Sequence, residues 1–286
     1  MSNVSIGFIG MGWIGGSYTK DFKTRGYDPV CYSMEEPYVQ NKERIAECDI
    51  VFIAVPTPTT ENGFDYSILP KVLPLIGKSK TVVIKSTVLP GTTKKLQDQF
   101  PDIYVMHSPE FLSEATAVED AAHPKRNIIG IPIDNPDYRS RAEAVMAILP
   151  ESPYNLICGS TEAEIIKYQR NVLGYVRIVM HNILWELANA EGADWNTIKD
   201  AIGHDPDNGP LYTSPVHKSG RGAGGHCFVK DYAAFVEIYS KLITDPRGIA
   251  MLNAIKDKNL ELLAKTDKDK VIVEETYGEG VFENYR

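Results

Sequence analysis

Short apolar runs alternate with longer amphipathic stretches through the first half of the chain. Near-continuous apolar runs of about five residues are typical of parallel strands that are covered on both faces. These runs are Val4–Ile9, Pro29–Tyr32, Ile50–Val55, Thr81–Ile84, Ile103–Met106 and Asn127–Ile131. The stretches between them have the composition of helices and cover Ile14–Arg25, Tyr66–Ile76, Thr92–Gln99 and Asp137–Ile148. This alternation predicts an α/β fold with an N-terminal Rossmann-like, doubly wound sheet.

The pattern changes after about Asn155. Thr161–Glu191 is a long run of helix formers, and Trp195–Ile202 predicts a short helix. Asp231–Ala264 is also helical, with an interruption at Asp245-Pro246. We therefore expect an all-α domain with a long central helix to follow the sheet.

Two segments of the second half lack a strong helical pattern. Asp205–Gly225 is rich in Gly, Pro, Asp, Asn and Ser, which predicts an ordered loop. Residues 266–286 hold a possible strand at Val271–Glu274, and the rest of that segment is polar and expected to be poorly ordered. The predicted domains are therefore 1–157 for the sheet, 158–265 for the helical domain and 266–286 for a tail.

Composition narrows the class of protein. The 286 residues carry 30 Lys and Arg against 38 Asp and Glu, a formal net charge of −8. This acidic balance argues against a nucleic-acid partner bound through phosphates, although a local basic patch around Lys218 and Arg221 stays open. The longest apolar stretch, Ile50–Val55, is far below the roughly 20 residues of a membrane span, and the first residues do not resemble a signal peptide. Four widely spaced cysteines predict thiols in a reducing compartment, so we expect a cytoplasmic protein without a membrane partner.

A glycine motif joins the first predicted strand to the first predicted helix. It has the spacing GxGxxG and consists of Gly10, Met11, Gly12, Trp13, Ile14 and Gly15. Gly10 permits a tight turn, Gly12 lets the backbone approach a pyrophosphate, and Gly15 allows close packing of helix and strand. This position between strand and helix predicts a dinucleotide site, whereas a glycine turn without a ligand is the alternative.

The second strand ends at the position that distinguishes NAD from NADP. An acidic residue about 20 positions after the glycines normally binds the ribose hydroxyls, but Ser33 stands there and Glu35 and Glu36 follow. Ser33 as an acceptor of the 2′-phosphate of NADP is the open alternative, although no Arg is adjacent. We expect NAD.

A glycine-dense loop precedes Cys227, in the run Gly220-Arg221-Gly222-Ala223-Gly224-Gly225-His226-Cys227. A following helix N-terminus and the cation of Lys230 would lower the pKa of the thiol, which favours a nucleophilic thiolate. Asp231 could orient a proton acceptor or a water. A buried, inert cysteine is the alternative that we assign to Cys31, Cys48 and Cys158, which lie in or next to strands. No His or Cys cluster has the spacing of metal ligands, so we expect no metal.

Lys167 and Asn171 are four residues apart on the long predicted helix and therefore share one face. An amine and an amide on one face can stabilise a developing oxyanion. Two solvated polar residues are the alternative, because any helix surface contains such pairs.

Taken together, these motifs resemble the UDP-glucose/GDP-mannose dehydrogenase family. Six motifs appear in the family's order over most of the chain, with Trp13 in place of the family's Tyr in the glycine motif. The other matches are Val55-Pro56-Thr57-Pro58 with Gly63 and Asp65; Ser86-Thr87-Val88 with Pro90, Gly91 and Thr92; Pro109-Glu110-Phe111-Leu112 with Glu114, Pro124 and Arg126; Glu162–Asn171 with Glu186; and Gly224-Gly225, Cys227 and Lys230-Asp231.

The resemblance implies an activity and a set of roles. The family oxidises the C6 alcohol of a nucleotide sugar to a carboxylate with two NAD, through a thiohemiacetal and a thioester on a cysteine. It implies that Cys227 is the nucleophile, that Lys167 and Asn171 stabilise oxyanions, and that Asp231 activates water or assists proton transfer. Thr87 and Glu110 would act around the catalytic water, with Glu110 favouring thioester hydrolysis.

The resemblance also implies two sets of binding residues. Those for the cofactor are Gly10, Gly12, Trp13, Ile14, Gly15, Ser33, Val55, Pro56, Thr57, Ser86, Thr87 and Glu114. Those for the nucleotide sugar are Glu110, Phe111, Leu112, Lys167, Asn171, Gly224, Gly225 and Cys227. Glu114 is expected near the substrate or the cofactor.

Departures from the family leave the substrate open. The family usually has a third, C-terminal nucleotide-binding domain, and we expect a short form that lacks most of it. The segment Asp205–Gly209 has no Arg where the family tends to place one, and Val229 replaces a Pro. UDP-glucose is the leading candidate, and the GGHC variant also occurs in relatives that act on UDP-N-acetyl sugars. The alternatives are a two-domain β-hydroxyacid dehydrogenase and a non-catalytic dinucleotide-binding protein.

The long helix also suggests self-association. It carries more apolar residues than one packing face requires: Ile165, Ile166, Val172, Val176, Ile183, Leu184 and Leu187. By resemblance to the family, in which this helix forms a dimer core, we expect a homodimer. Complete burial of these residues within one chain is the alternative.

Overall fold

The computed structural model describes residues 4–286, which form two compact units. The first unit runs to Thr57 and resumes over Tyr66–Lys167. The second unit consists of Pro58–Asp65 and Tyr168–Arg286. The domain boundaries expected from the sequence stay predictions, because compactness alone does not define a domain.

The strands and helices follow one another along the chain in the order of their numbers. The strands are β1 (Ile6–Ile9), β2 (Val30–Tyr32), β3 (Ile50–Ile53), β4 (Thr59–Thr60), β5 (Gly63–Phe64), β6 (Thr81–Ile84), β7 (Tyr104–His107), β8 (Asn127–Ile131), β9 (Asn155–Gly159), β10 (Val216–His217) and β11 (Gly220–Arg221). The helices are α1 (Trp13–Thr24), α2 (Ile68–Val72), α3 (Thr92–Gln99), α4 (Ala117–Ala122), α5 (Pro136–Ile148), α6 (Ser160–Ala190), α7 (Trp195–His204), α8 (His226–Leu242), α9 (Pro246–Ala264) and α10 (Lys270–Tyr277). Within residues 4–286, no helix combines the length and the hydropathy that a membrane crossing requires.

The first unit is built on a seven-stranded sheet with the order β2-β1-β3-β6-β7-β8-β9. All neighbours are parallel except β7 and β8, which meet antiparallel at His107 and Gly130. The Rossmann-like α/β class is thereby confirmed, and each of the six expected strands is present. The edge strand β9 was not expected, because its half-exposed residues lack a buried apolar run.

The central strands of this sheet are covered on both faces, which is why they are mainly apolar. On one face, Phe8 and Phe52 stack with ring centroids 5.0 Å apart, and Phe22 of α1 packs edge-on against Phe8. On the other face, Ile9 and Ile53 are buried in a second cluster. Each such side chain contributes about 1.5–3 kcal/mol through burial.

The second unit is helical and has a core of its own. Tyr175 of α6 and Tyr232 of α8 stack with centroids 3.9 Å apart and planes only 9° from parallel. The expected interruption near residue 245 is confirmed: α8 ends at Leu242, and Asp245 caps α9 by accepting a hydrogen bond from the Arg247 N–H.

Two expectations about residues 266–286 are wrong. Val271–Glu274 is not a strand but part of α10, in which Val273 is fully buried and Val271 is 69% exposed. The segment is also ordered, because Phe282 is fully buried in a cluster with Val229 and Leu263. Alternating valines imitate a strand pattern here, but tertiary packing selects the helix that buries Val273.

Candidate active site

The glycine turn has the geometry that its sequence predicts. Gly10 has φ +90°, and a Cβ on it would lie 2.3 Å from the Ala54 carbonyl oxygen. A Cβ on Gly15 would lie 1.9 Å from the Gly10 carbonyl oxygen, so neither position admits a side chain. Gly12 is the N-cap of α1, and a Cβ on it would have no other heavy atom within 4 Å. The turn therefore leaves room beside Gly12 and the start of α1, as a pyrophosphate needs.

Ser33 directly follows β2 and takes part in a local turn. Its hydroxyl accepts a hydrogen bond from the Glu35 N–H at 3.2 Å. Glu35 and Glu36 are exposed, so the groups next to Ser33 are acidic. Two carboxylates beside this position disfavour the extra phosphate of NADP.

The loops after β3 and β6 are tied together in the first unit. The Ser86 hydroxyl donates to the Val55 carbonyl at 2.7 Å, and the Thr57 hydroxyl donates to the Thr87 carbonyl at 2.8 Å. Ser86, Thr87, Val55 and Thr57 are buried, whereas Pro56 is exposed. Loops after parallel strands lie at the edge of the sheet where dinucleotides bind.

Glu110 and Lys167 form a buried ion pair in the first unit. The Lys167 ammonium donates to Glu110 Oε1 at 2.6 Å and to the Glu110 carbonyl at 2.8 Å, and the Leu112 N–H donates to Oε2 at 2.8 Å. Burial raises the pKa of Glu110, but the charge and hydrogen bonds of Lys167 outweigh burial and hold that pKa below its ordinary value. Lys167 is 4% exposed. The alternative of a solvated surface residue is therefore excluded for Lys167.

A second buried amine, that of Lys85, was missed from the sequence. Its ammonium donates to the Ser108 hydroxyl at 3.1 Å and lies 4.3 Å from the centre of the Tyr18 ring. Burial lowers its pKa to about 7; the Glu110 carboxylate opposes this, and the Lys167 charge adds to it. A lysine directly after a buried apolar strand was the signal, since lysines are rarely buried without a partner.

Phe111, Leu112 and Glu114 lie in the segment between β7 and α4. The Arg126 guanidinium packs over the Phe111 ring at 3.9 Å, and the Lys167 ammonium lies 5.9 Å from the same ring. Glu114 is exposed. The Phe111 ring therefore lies within cation–π distance of two cations.

Cys227 lies in the first turn of α8, and its side chain is exposed. Cys31 and Cys48 are buried, and burial raises both of their pKa values, which fits an inert role. Cys158 is half-buried. Cys227 thus differs from the other three in exposure and in its position at a helix start.

Asn171, Lys230 and Asp231 meet in the second unit. The Asn171 amide donates to Asp231 Oδ2 and the Lys230 ammonium pairs with Asp231 Oδ1, both at 2.5 Å. Asp231 is 1% exposed and Asn171 is 8% exposed, so Asn171 is not a solvated surface residue either. Lys230, expected to act on the thiol, has Asp231 as its ion-pair partner.

The loop before Cys227 owes its glycines to contacts within the protein. A Cβ on Gly220 would lie 2.3 Å from Thr266 Oγ1, one on Gly222 would lie 2.9 Å from Asn259 Oδ1, and one on Gly224 would lie 2.0 Å from Asp269 Oδ2. Gly225 instead has no heavy atom within 4 Å of such a Cβ, but its φ is +80°. Space for an incoming substrate therefore explains at most Gly225 among these four.

The first unit defines the class of protein. A mostly parallel sheet with a glycine turn after its first strand and an open Gly12 is typical of dinucleotide-binding proteins. The chain belongs to the UDP-glucose/GDP-mannose dehydrogenase family: the model of that family's NAD binding domain matches residues 37–149, and the model of its central domain matches residues 161–260. The family's NAD-binding domain confirms NAD as the expected cofactor.

Individual relatives agree with this family. The UDP-glucose 6-dehydrogenase of Streptococcus pneumoniae is 30% identical over 213 residues, which cover 68% of this chain and 53% of that protein. The chain therefore spans about half the length of that relative. The structure of a UDP-glucose dehydrogenase from the hyperthermophilic archaeon Pyrobaculum islandicum matches with a TM-score of 0.77 and 26% identity, over 91% of this chain and 69% of that one.

One solved structure matches over its whole length. The 3-hydroxyisobutyrate dehydrogenase of Mycobacterium tuberculosis has a TM-score of 0.69 and covers 99% of both chains, at 15% identity. At that identity the likeness concerns the fold alone.

Proposed function

We propose that the chain is an NAD-dependent nucleotide-sugar dehydrogenase that oxidises the C6 alcohol of its substrate to a carboxylate. UDP-glucose is the first substrate to test, because UDP-glucose dehydrogenases are among its relatives. Membership of the family supports the reaction class, and the open turn at Gly12 supports dinucleotide binding.

The observation that carries the proposal is the exposed thiol of Cys227 at the start of α8. Oxidation of an alcohol to an acid passes through an aldehyde, which a thiolate can retain as a covalent adduct. A helix N-terminus stabilises a thiolate, and exposure lets a substrate reach it. An enzyme that stops at the carbonyl stage does not need this cysteine.

Four residues of the chain have proposed roles in this reaction. NAD, two equivalents per sugar, supplies the oxidising power for both two-electron stages. The sulfur of Cys227 forms a bond to the aldehyde carbon, and the thiol proton is transferred to the aldehyde oxygen. The second oxidation removes a hydride from that carbon and a proton from its hydroxyl and leaves a thioester on Cys227. Water then displaces the sulfur and releases the acid and the thiol. Lys167 and Asn171 are the proposed hydrogen-bond donors to oxygen atoms that become negative, and Asp231 is the proposed proton acceptor from water.

Glu110 has a constrained role in this scheme. Both of its carboxylate oxygens already accept hydrogen bonds, one from Lys167 and one from the Leu112 N–H. Its pKa is held low, so it is ionised at neutral pH. We propose that Glu110 keeps the Lys167 ammonium charged and oriented, and that together with Thr87 it positions the water that hydrolyses the thioester.

The second candidate function is a β-hydroxyacid dehydrogenase. The buried Lys167 and Asn171 on one helix fit this function equally well, because β-hydroxyacid dehydrogenases also resemble this chain in having a helical Lys-x-x-x-Asn. It differs in having no use for a thiol. Cys227 therefore discriminates between the two candidates.

The test measures NADH formed per sugar consumed, with NAD and a panel of UDP- and GDP-sugars, beside Cys227→Ser. We expect two NADH per sugar in the wild type and a loss of turnover of at least about 10³-fold in Cys227→Ser. The matched control is Cys158→Ser, at the half-buried cysteine of β9, which should keep its activity. One NADH per turnover, unaffected by Cys227→Ser, would assign the chain to the hydroxyacid group; NAD binding without turnover of any sugar would support a non-catalytic binder.

We also propose that the chain forms a homodimer through α6. Within the second unit this helix exposes Leu173, Met180, Leu184 and Leu187, which are 44–59% exposed. Residues 173, 180 and 187 are seven apart, and 184 lies on the same side, so they form one stripe along the helix. Such a stripe on a surface is typical of a helix that packs against a partner.

A further inference from the structure

We propose that Lys268 and Asp269 are positioning residues for Cys227: their side chains hold the glycine loop that presents the thiol at the start of α8. They lie in the short connection between α9 and α10, more than forty positions after the loop they contact. This inference rests on the proposed function of Cys227, but it concerns residues outside the motifs that the sequence singled out.

Lys268 binds the first half of the loop. Its ammonium donates to the Gly222 carbonyl at 2.8 Å and lies 3.4 Å from the Gly220 carbonyl. The residue is 4% exposed, so these carbonyls receive a charged donor where water has little access. A charge-assisted hydrogen bond in such surroundings is stronger than a neutral one, and losing it leaves a buried carbonyl unsatisfied.

Asp269 binds the second half of the loop. Its Oδ2 accepts a hydrogen bond from the Gly225 N–H at 2.8 Å, and Gly225 is the N-cap of α8. A Cβ on Gly224 would lie only 2.0 Å from the same oxygen, which accounts for the glycine at this position. The carboxylate therefore fixes the backbone two residues before Cys227.

Two further side chains also bind the loop, and the four side chains together form a clamp around it. The Asn259 amide of α9 accepts from the Ala223 N–H at 2.7 Å and donates to the Ala223 carbonyl at 3.0 Å. The Thr266 hydroxyl accepts from the Arg221 N–H at 3.2 Å. A loop held by side chains keeps its conformation only as long as those side chains stay in place.

The connection that carries Lys268 and Asp269 is itself fixed to α9. The Lys268 N–H donates to the Leu263 carbonyl at 3.0 Å, and the Asp269 carbonyl accepts from the Val273 N–H at 3.0 Å in the first turn of α10. The turn between α9 and α10 therefore has a defined position against the loop, and this position determines where α8 begins.

The negative charge of Asp269 also affects how readily the Cys227 thiol loses its proton. Asp269 places a negative charge at the N-cap of α8, and an anion there opposes a thiolate in the same turn. Other charged or titratable groups near this helix start include His226, Lys230 and Asp231 on α8, and Lys268 beside Asp269, with Lys218 close enough to act on Lys268. Removing the Asp269 charge should therefore favour the thiolate of Cys227.

The first experiment follows the reactivity of Cys227 without substrate or NAD. The rate of alkylation by iodoacetamide is measured against pH by mass spectrometry of the peptide that contains Cys227, for the wild type and Asp269→Asn. Asn keeps the acceptor oxygen and tolerates the φ of +53° at this position. We expect the apparent pKa of the thiol to fall by roughly half a unit, the size of a partly screened single-charge effect.

The matched control for this experiment is Asp267→Asn. Asp267 lies two residues away, also has positive φ, and pairs with Arg286 instead of the loop. Its alkylation profile should match that of the wild type. A profile of Asp269→Asn that coincides with that of Asp267→Asn would overturn the proposal.

The second experiment uses Lys268→Met to test whether the Lys268 side chain restrains the loop. We expect hydrogen exchange at Ala223 and Gly225 to rise by at least about tenfold, while exchange within α9 stays unchanged. The kcat for the nucleotide sugar should fall at least about tenfold with little change in the KM for NAD, because the glycine turn at Gly10–Gly15 is untouched. Lys270→Met, at a lysine paired with Glu274, should change neither.

The outcomes separate this inference from the proposed function. A chain that turns over no nucleotide sugar would contradict the proposed function, while the alkylation and exchange experiments would still decide the role of Lys268 and Asp269. Faster loop exchange in Lys268→Met with unchanged kcat would show that the clamp does not position Cys227. Unchanged loop exchange would show that no clamp exists.

Discussion

At the scale of single residues, Lys85 is a buried amine whose pKa lies far below its ordinary value in solution. It is 3% exposed, and its hydrogen-bond partner is a neutral hydroxyl, that of Ser108, although the carboxylate of Glu110 favours its charge. Because burial lowers its pKa to about 7, it changes charge within the pH range of ordinary assays. The folded protein therefore binds a proton here less tightly than the unfolded chain does.

This residue predicts a pH dependence of stability. Below a pH of about 7 both states are protonated and the cost of the buried charge is complete; as pH rises from about 7 towards the unfolded pKa, the folded state is relieved of that cost. The free energy of unfolding of the wild type should rise relative to that of Lys85→Met over this window, by up to about 1.4 kcal/mol per pH unit. Urea denaturation at a series of pH values measures it. Lys80→Met, at the lysine paired with Asp49, is the control, and equal slopes for wild type and Lys85→Met would refute the prediction.

At the scale of secondary-structure elements, one buried carboxylate joins α6 to the start of α3. Glu164 is fully buried and accepts hydrogen bonds from the Gly91 N–H at 2.5 Å and from the N–H and hydroxyl of Thr93 at 2.8 and 2.6 Å. It lies one helical turn before Lys167 on the same helix, and Thr87 lies in the segment that leads to Gly91. Glu164 thus fixes α6 against the segment that holds Thr87.

The substitution Glu164→Gln should therefore be costly. The amide nitrogen would face N–H donors, and the carboxylate that completes the N-terminus of α3 would be lost, which predicts a loss of about 1–3 kcal/mol in stability. Thermal and urea unfolding measure this loss. Glu162→Gln, at an exposed glutamate two residues earlier, should change stability by less than about 0.5 kcal/mol. Equal stabilities of the two variants would argue against this role of Glu164.

The elements also show what a sequence can predict. The strands of the sheet were predictable because burial on both faces makes runs such as Ile50–Val55 continuously apolar. The helix α10 was not, because its valines alternate as in a strand and only Val229 and the other buried neighbours select the face that Val273 presents. Glu164 gave no signal, because a glutamate in a helix is ordinarily exposed.

In the candidate site, too, some features were predictable from the sequence and others were not. Local motifs indicated the glycine turn and Cys227, because backbone conformation and helix position follow from neighbouring residues. The contact of Asp269 with Gly225 joins positions 44 apart, and no local pattern encodes it. The glycines of the loop were recognised, but Gly222 and Gly224 have their reason in Asn259 and Asp269.

At the scale of the whole molecule, the proposed dimer is the property to test first. The stripe of Leu173, Met180, Leu184 and Leu187 would cost free energy if it stayed in water, at about 25 cal/mol per Å² of apolar surface. We expect a dimer by light scattering and a shift to monomer in Leu187→Glu, since a carboxylate would enter the apolar contact. Leu242→Glu, at a 71% exposed leucine at the end of α8, is the control. A wild-type monomer at tens of micromolar would refute the dimer.

The hairpin of β4 and β5 has a consequence for how the chain is made. It belongs to the second unit although it lies between β3 and α2 of the first, and the Thr59 hydroxyl donates to the Lys230 carbonyl 171 positions later. During synthesis the hairpin leaves the ribosome long before its partner exists, so the second unit cannot finish folding until α8 has been translated. A gene cut once, at codon 168, would therefore give a C-terminal product without this hairpin, and the two units cannot be separated by any single cut.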